Sequence, residues 1–407
     1  RDRLRSRGLG DVYKRQASEE AKTTAEDEKL SATITVWSPA EDQDEKKGNW
    51  LKTRCEAFNA AHPNWDLTFQ YSVCGENNAS TNVTKDAAAA ADVYMFANDQ
   101  LMKLIDGGAI SRLGGDIETY IRETNSEAIV NTVTVGDAVY GVPYTANTWF
   151  MYYDKRVFTE DDVKNLDKML EVAASKNKKV SFKLTDSWYI ASFYVGNGCT
   201  FFGDGTDESA GIDFEGEKAT AVTNYLIDLV NKPAYMTDDS GSGLAGLKDG
   251  SVAAFFSGTW DLSAVKEALG EENVGIAQAP TYTLNGKEVQ MKPFFGSKAV
   301  AVNKTSPNQK VATQLALWLA NEDSQKTRYE SRGIVPCNTK LLDTLKGDAL
   351  AAVQNGPSIM QPFVSKMNKY WTPAENMGKG ITSGSCTHDN AEESTVEMNK
   401  AFNTEAL

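Results

Sequence analysis

Apolar positions along the chain fall into short runs of period two alternating with longer stripes of period 3.6. Residues 33–37 (TITVW) are β-rich and read as the first strand. Leu51, Cys55 and Phe58 then recur at helical spacing across 43–62, and Pro63 ends that helix. Residues 66–73 put Leu67, Phe69, Tyr71 and Val73 on one face of a second strand. The alanine-rich segment 82–91 reads as a helix leading into a third strand, 92–96 (DVYMF). A helix carrying Leu101, Leu104 and Ile105 follows and is closed by Gly107 and Gly108. Strand alternating with helix in this way predicts a parallel α/β layer.

Residues 141–155 (GVPYTANTWFMYYDK) interrupt that alternation. The segment opens extended at Pro143, carries the polar pair Asn147 and Thr148, and ends in the apolar run 149–153. Such a run suits a strand buried on both faces, as parallel sheets require. A polar centre with a buried far end is what a chain needs to leave one α/β lobe and enter another. A second set follows: a strand at 180–184, a helix at 188–195, and a helical stripe through Val222, Tyr225, Leu226, Leu229 and Val230. An apolar strand at 252–256 continues it, and the glycine- and acid-rich stretch 203–216 reads as a surface loop. Residues 292–303 (KPFFGSKAVAVN) form another extended segment, and Ser306-Pro307-Asn308 leads into a helix over 309–320. From Arg332 onward the chain is expected to cross once more, near 333–336, and to finish in helices. Residues 125–140 carry no site signal, and Val133, Val135 and Val139 read as packing.

The 407-residue length exceeds what one core can organise, so two lobes of domain size are expected. A hydrophobic content of 41 % and a charged content of 24 % are ordinary for a globular chain. The formal charge of −14 argues against a nucleic-acid partner. Residues 1–16 (RDRLRSRGLGDVYKRQ) lack apolar periodicity and the apolar centre of a signal peptide. Part of that stretch resembles the end of a sequencing-library adapter, so 1–16 is read as a non-native leader. Its six Lys/Arg and two Asp make +4, which leaves −18 on the rest of the chain. Residues 17–31 (ASEEAKTTAEDEKLS) are small, acidic and free of aromatics, the composition of a solvated tether. Such a tether would suit a chain once preceded by a signal peptide or lipid-anchored cysteine. No run approaches ~20 apolar residues, so no membrane span is expected. The five cysteines lack CxxC spacing and the two histidines are His62 and His388, so neither structural zinc nor any cofactor is expected. One disulfide is compatible with the cysteine count, with a thiol left over.

Two histidines in such contexts make a Ser-His-Asp or Cys-His triad a poor fit. No glycine-rich phosphate loop is present. With 56 acidic residues, a carboxylate pair for glycoside hydrolysis stays open at this point. The aromatic pattern is more informative. Trp37, Trp188, Trp260 and Trp371 follow strand ends or open helices, the places where open α/β sheets bind ligands. A flat indole stacks on the apolar face of a pyranose while nearby carboxylates and amides take the hydroxyls. Each tryptophan could equally be a packing residue, and Trp50 and Trp318, inside amphipathic helices, and Trp65, beside Pro63, read that way. Asp99 and Asp186 read as helix N-caps, a role compatible with ligand binding.

The two extended segments carry a resemblance. Pro-Tyr, a polar pair and an apolar run ending Tyr-Asp-Lys, then Lys-Pro-Phe, a glycine, a strand ending in Asn and a Ser-Pro-Asn turn, resemble the interlobe crossings of the maltose-binding branch of solute-binding proteins of ABC transporters. The resemblance covers about residues 33–405. It implies a two-lobed type II periplasmic-binding-protein fold of class α/β, each lobe a mainly parallel sheet flanked by helices. Lobe 1 would hold 32–146 and 297–333 and lobe 2 would hold 149–293 and 338–407, with crossings near 144–148, 293–297 and 333–337. Phe96-Ala97-Asn98-Asp99-Gln100 matches the family's Trp-Ala-His-Asp-Arg ligand loop with glutamine in place of arginine. Asn147 falls where that branch has a hydroxyl-binding glutamate, and Asp186-Ser187-Trp188 where it has Glu-Pro-Tyr. Ser257-Gly258-Thr259-Trp260 matches its Asn-Gly-Pro-Trp, and Tyr370-Trp371 its paired aromatics. Glu41 and Asp42, with Trp37 before them, occupy the polar-contact region after the first strand, where a lysine is lost. The implied function is a non-enzymatic, monomeric, extracytoplasmic receptor, periplasmic or lipid-anchored at the cell surface. It would bind an oligosaccharide, best matched to α-glucans, and deliver it to a membrane permease. The rivals are a secreted glycoside hydrolase, a receptor for another solute such as a polyamine, and a surface adhesin.

Overall fold

A computed structural model describes residues 28–345 and 347–405. The leader read at 1–16 and most of the tether read at 17–31 lie outside the described residues. The first strand runs Leu30–Ser38 and pairs from Leu30 onward with Trp65–Val73, so the last two tether positions belong to a sheet.

Two sheets share the chain. In the first, Leu30–Ser38 lies parallel to Trp65–Val73 and to Val93–Ala97. The long strand Phe294–Val302 then joins antiparallel to Val93–Ala97. The strand Val142–Asn147 is antiparallel to Phe294–Val302 as well. In the second sheet Tyr235–Thr237, Lys179–Phe182 and Val252–Ser257 are mutually parallel neighbours. Phe150–Asp154 lies antiparallel to Val252–Ser257 and to Val274–Ala277. That strand is buried throughout, as its composition requires, but for a different reason from the one its sequence suggests. Met151 and Tyr153 enter one core while Phe150 and Tyr152 enter the core on the opposite face. Two cores sandwiching one sheet erase the polar alternation of an antiparallel strand.

Two helices differ from expectation. The 43–62 segment contains Trp50–Ala60 alone as α-helix, because Asn49 sits at φ 42° in the left-handed region and caps Lys52 N–H. The alanine-rich 82–91 segment gives Ala79–Lys85, after which the chain turns at Asp86, whose carbonyl and carboxylate accept from Ala89 N–H. All five cysteines are free and buried, so the disulfide left open by the count is not formed.

Two stretches lead from one sheet to the other, at residues 148–149 and just before Phe294, and both are tied by hydrogen bonds to chain that is distant in sequence. Thr148 Oγ1 donates to Phe294 O at 2.9 Å, and Thr145 Oγ1 donates to Val335 O at 2.7 Å. Ile359 and Met360 add a short parallel strand beside Phe294 and Phe295. Asn98, Lys183 and Trp260, just past the carboxyl ends of Val93–Ala97, Lys179–Phe182 and Val252–Ser257, line one cavity.

Candidate ligand-binding site

Between the lobes lies a cavity of about 480 Å³. Its first wall comes from strand ends: Asn98 and Asp99 directly follow Val93–Ala97, and Asn147 ends Val142–Asn147. Lys298, on the crossing strand, and Asn77 complete that side. The second wall is aromatic. Trp188 opens the helix Ser187–Gly196, Trp260 follows Val252–Ser257, and Trp371 opens Trp371–Ser383. Tyr189, Lys183, Asp186 and Gln361 fill in around them. Two larger cavities, of about 530 and 660 Å³, lie elsewhere, the first between Leu262 and Arg332 and the second between Asn165 and Gln290. Neither is lined by a tryptophan.

The aromatic wall is fixed by packing. The Trp188 and Trp260 rings lie 6.0 Å apart at 44°, and Trp371 packs edge-on against Phe294 at 5.9 Å. Trp260 is 46 % exposed, one of three large apolar side chains left in solvent among the described residues. Its indole folds back over Gly258, where an added Cβ would come within 2.1 Å of the ring. Any side chain at 258 would push the indole off its place.

One member of the polar wall, Lys298, is held by charge hidden beneath it. Lys298 Nζ lies 3.9 Å from Glu76 Oε2, and Glu76 lies 3.6 Å from Arg328. Arg328, 2 % exposed, makes a bidentate pair with Asp42 at 2.9 and 2.8 Å and lies over the rings of Tyr144 and Trp50. Arg332 adds a third bond to Asp42 at 2.6 Å. Burial alone would raise the Glu76 carboxyl. Lys298, Arg328 and the Tyr144 hydroxyl outweigh it and hold the group down at about 2. Asp99 is shifted upward by burial, which Gln100, Lys103 and Lys298 only partly offset. Asp186 is shifted upward for the same reason, although its carboxylate caps Trp188 N–H at 2.9 Å.

Of the residues expected at the site, Asn98, Asp99, Asn147, Asp186, Trp188, Trp260 and Trp371 line one cavity. Five do not. Phe96 is fully buried in the lobe 1 core, and Tyr370 is fully buried in lobe 2 with its hydroxyl donating to Ser187 O. Asp42 is fully buried as the partner of Arg328 and Arg332. Glu41 is exposed beside Arg332, and Trp37 packs half-buried against the lobe 1 core. Phe96 and Tyr370 are near neighbours in sequence of the lining residues Asn98 and Trp371, whereas Trp37, Glu41 and Asp42 are distant in sequence from every lining residue. Asn77, Lys183, Tyr189, Lys298 and Gln361 were not anticipated. Lys298 had a signal, a lone charge inside an apolar strand. Gln100, at the lost arginine position, turns away and accepts from Ser80 N–H at 3.3 Å. Trp50 and Trp65 are buried as expected, whereas Trp318 is half-buried beneath the Arg54 guanidinium at 4.9 Å. The histidines stand apart from the cleft: His62 stacks on Trp65 at 4.3 Å, and His388 bonds Asp228 on the surface.

Residues 53–360 match a model of the family described as bacterial extracellular solute-binding protein. Among curated proteins, the galactooligosaccharide-binding protein of Bacillus subtilis is 27 % identical over 93 % of this chain and 91 % of its own. The maltooligosaccharide ABC transporter solute-binding lipoprotein of Streptococcus pneumoniae is 27 % identical over 72 % of each chain. A solved structure determined with acarbose is 49 % identical, with a TM-score of 0.85 over 92 % of this chain and 99 % of its own.

Proposed function

Because the chain belongs to the bacterial extracellular solute-binding protein family, we propose that it is the oligosaccharide receptor of an ABC importer, binding α-glucan chains in the interlobe cleft. The observation that carries this reading is the pairing of walls across one cavity. Three tryptophans on lobe 2 face amides, an acid and an ammonium group on lobe 1. Indoles cover the apolar faces of successive rings while the polar wall takes hydroxyls. The family and the relatives are binding proteins, so the chain is a receptor and not an enzyme.

The two crossings provide a hinge, and a sugar touching both walls binds the closed form more tightly than the open one. A permease would read that closed form. We take the receptor to act as a monomer, held outside the membrane by a tether or lipid anchor. Among the described residues no helix is long and apolar enough to cross a membrane.

The relatives named above are described for different sugars, one galacto- and one malto-oligosaccharides. A thermal-shift panel of malto-oligosaccharides, galacto-oligosaccharides, monosaccharides and polyamines separates the readings, since a ligand of the folded state alone raises the melting point. Malto-oligosaccharides should give the largest shift, with no new reducing ends on prolonged incubation. A shift confined to galacto-oligosaccharides would keep the receptor and replace the substrate. A shift with polyamines alone, or steady release of reducing ends, would overturn the proposal.

A further inference from the structure

Of the four side-chain amides that line the cleft, two, Asn98 and Gln361, have their oxygens engaged by groups that can only donate. Asn98 Oδ1 accepts the backbone N–H of Ser297 at 3.1 Å. Gln361 Oε1 accepts the indole N–H of Trp188 at 2.9 Å. A backbone N–H and an indole N–H can only donate. The atom facing each of them is therefore the amide oxygen, and chemistry settles the orientation that geometry alone leaves open. Both NH2 groups consequently point away from those partners. Asn98 is 4 % exposed, and its Nδ2 is a buried atom without a hydrogen-bond partner among the described residues. An unpaired buried donor of this kind is costly unless something satisfies it.

The backbone around both amides is fixed. An added Cβ at Gly296 would stand 2.2 Å from Asn98 Oδ1, so only glycine lets the crossing strand come this close. Gln361 is pinned by its own N–H, which donates to Phe295 O at 2.8 Å on the same crossing strand. One amide belongs to the end of a lobe 1 strand, and the other reaches from the hinge to the aromatic wall.

We infer that Asn98 and Gln361 act as a pair of orientation-locked donors that read acceptor oxygens on the ligand, and that this selects sugars presenting hydroxyl or ring oxygens at both places. The inference rests on the oligosaccharide reading above. It also makes Gln361 a positioning residue for Trp188, because the same side chain that offers the NH2 holds the indole edge.

Asn98→Asp and Gln361→Glu separate donation from scaffolding. Each keeps an oxygen for Ser297 or Trp188 and replaces only the NH2. Calorimetric titration with maltotetraose at pH 8, above the usual carboxyl range, should show each variant binding roughly tenfold or more weakly than the native protein, the effect of losing one hydrogen bond and facing oxygen with oxygen. Melting point and indole fluorescence of Gln361→Glu should stay near native values, while Asn98→Asp, which buries a charge, should melt lower and is compared by its affinity in the folded state. Native affinity in both variants would overturn the inference and leave the amides as scaffolding; native affinity in one would remove that residue from it. Should Asn98→Asp fail to fold, Gln361→Glu decides alone, since Gln361 is not part of the buried core. If the native protein itself bound no sugar, the receptor reading would fail instead.

Discussion

On lobe 1 the groups that face the cleft are polar, held from beneath by a buried ion-pair network at Lys298 and by a backbone N–H at Asn98. On lobe 2 they are aromatic, and neighbouring rings hold them. The first arrangement depends on partners far away in the chain: Asp42 meets Arg328, 286 positions later, and Asn98 meets Ser297, 199 positions later. In the second only the placing is local, since Trp188, Trp260 and Trp371 each sit where a strand ends or a helix begins, while the groups that hold them are distant in the chain. The difference has an energetic side. A buried charge network tolerates little change because removing one partner strands the other. An aromatic surface in a cleft can be cut back with the core left whole. Substitutions in the ion-pair network of the first lobe should therefore report mainly on folding, and those of the second lobe's indoles mainly on binding.

Arg328→Met tests the stronger half of that contrast. It leaves Asp42 and Glu76 buried without their guanidinium, and should destabilise the protein by about 3–5 kcal/mol in chemical denaturation. A loss within the error of the native value would mean that the network does not hold its part of the polar wall.

Acid should distinguish the walls next. The folded Glu76 carboxyl, at about 2, lies below its ordinary value of 4.5. Its contribution is complete above that ordinary value and is lost as pH falls from 4.5 towards 2. Glu76→Gln should lower stability at pH 7 by on the order of 2–3 kcal/mol and flatten the decline below pH 4.5. Asp99 and Asp186 have the opposite sign, since burial raises both, and their protonation favours the folded state on acidification. An unchanged acid limb in Glu76→Gln would assign the decline to other carboxylates.

Trp188→Ala and Trp371→Ala should each weaken oligosaccharide binding by roughly 2 kcal/mol, as for an aromatic anchor, with the melting point nearly unchanged. Trp318→Ala serves as the converse. Being half-buried beneath Arg54, it should cost about 1–2 kcal/mol of stability, less than the 3–5 typical of a fully buried aromatic, and leave binding intact. Normal binding by Trp371→Ala would remove the helix start at 371 from the site.

The same contrast explains what the sequence disclosed. The succession of strands and helices was readable from periodicity, and so were the three tryptophans, because a large aromatic just past an apolar strand is a local signal. The two crossings were readable for the same reason, as extended segments punctuated by Pro143 and by Pro293 and Gly296. The polar wall was readable only in part. Asp42 has the composition of a ligand contact, and nothing near it in sequence announces Arg328. Phe96 and Tyr370 sit one to three residues from true lining groups, and whether such a neighbour faces core or cleft is set by the sheet and helix it packs under. Gln361 was silent because its role depends on an indole 173 positions earlier. The antiparallel direction of Phe150–Asp154 was hidden because two cores impose the same unbroken apolar run as a parallel strand.

Stacking on several indoles predicts that binding energy grows with the number of rings. Calorimetric titration of glucose, maltose, maltotriose and maltotetraose measures this directly. Chains of three or more units should bind at least about tenfold more tightly than maltose, a gap of ~1.4 kcal/mol. Glucose binding as tightly as maltotetraose would contradict the account.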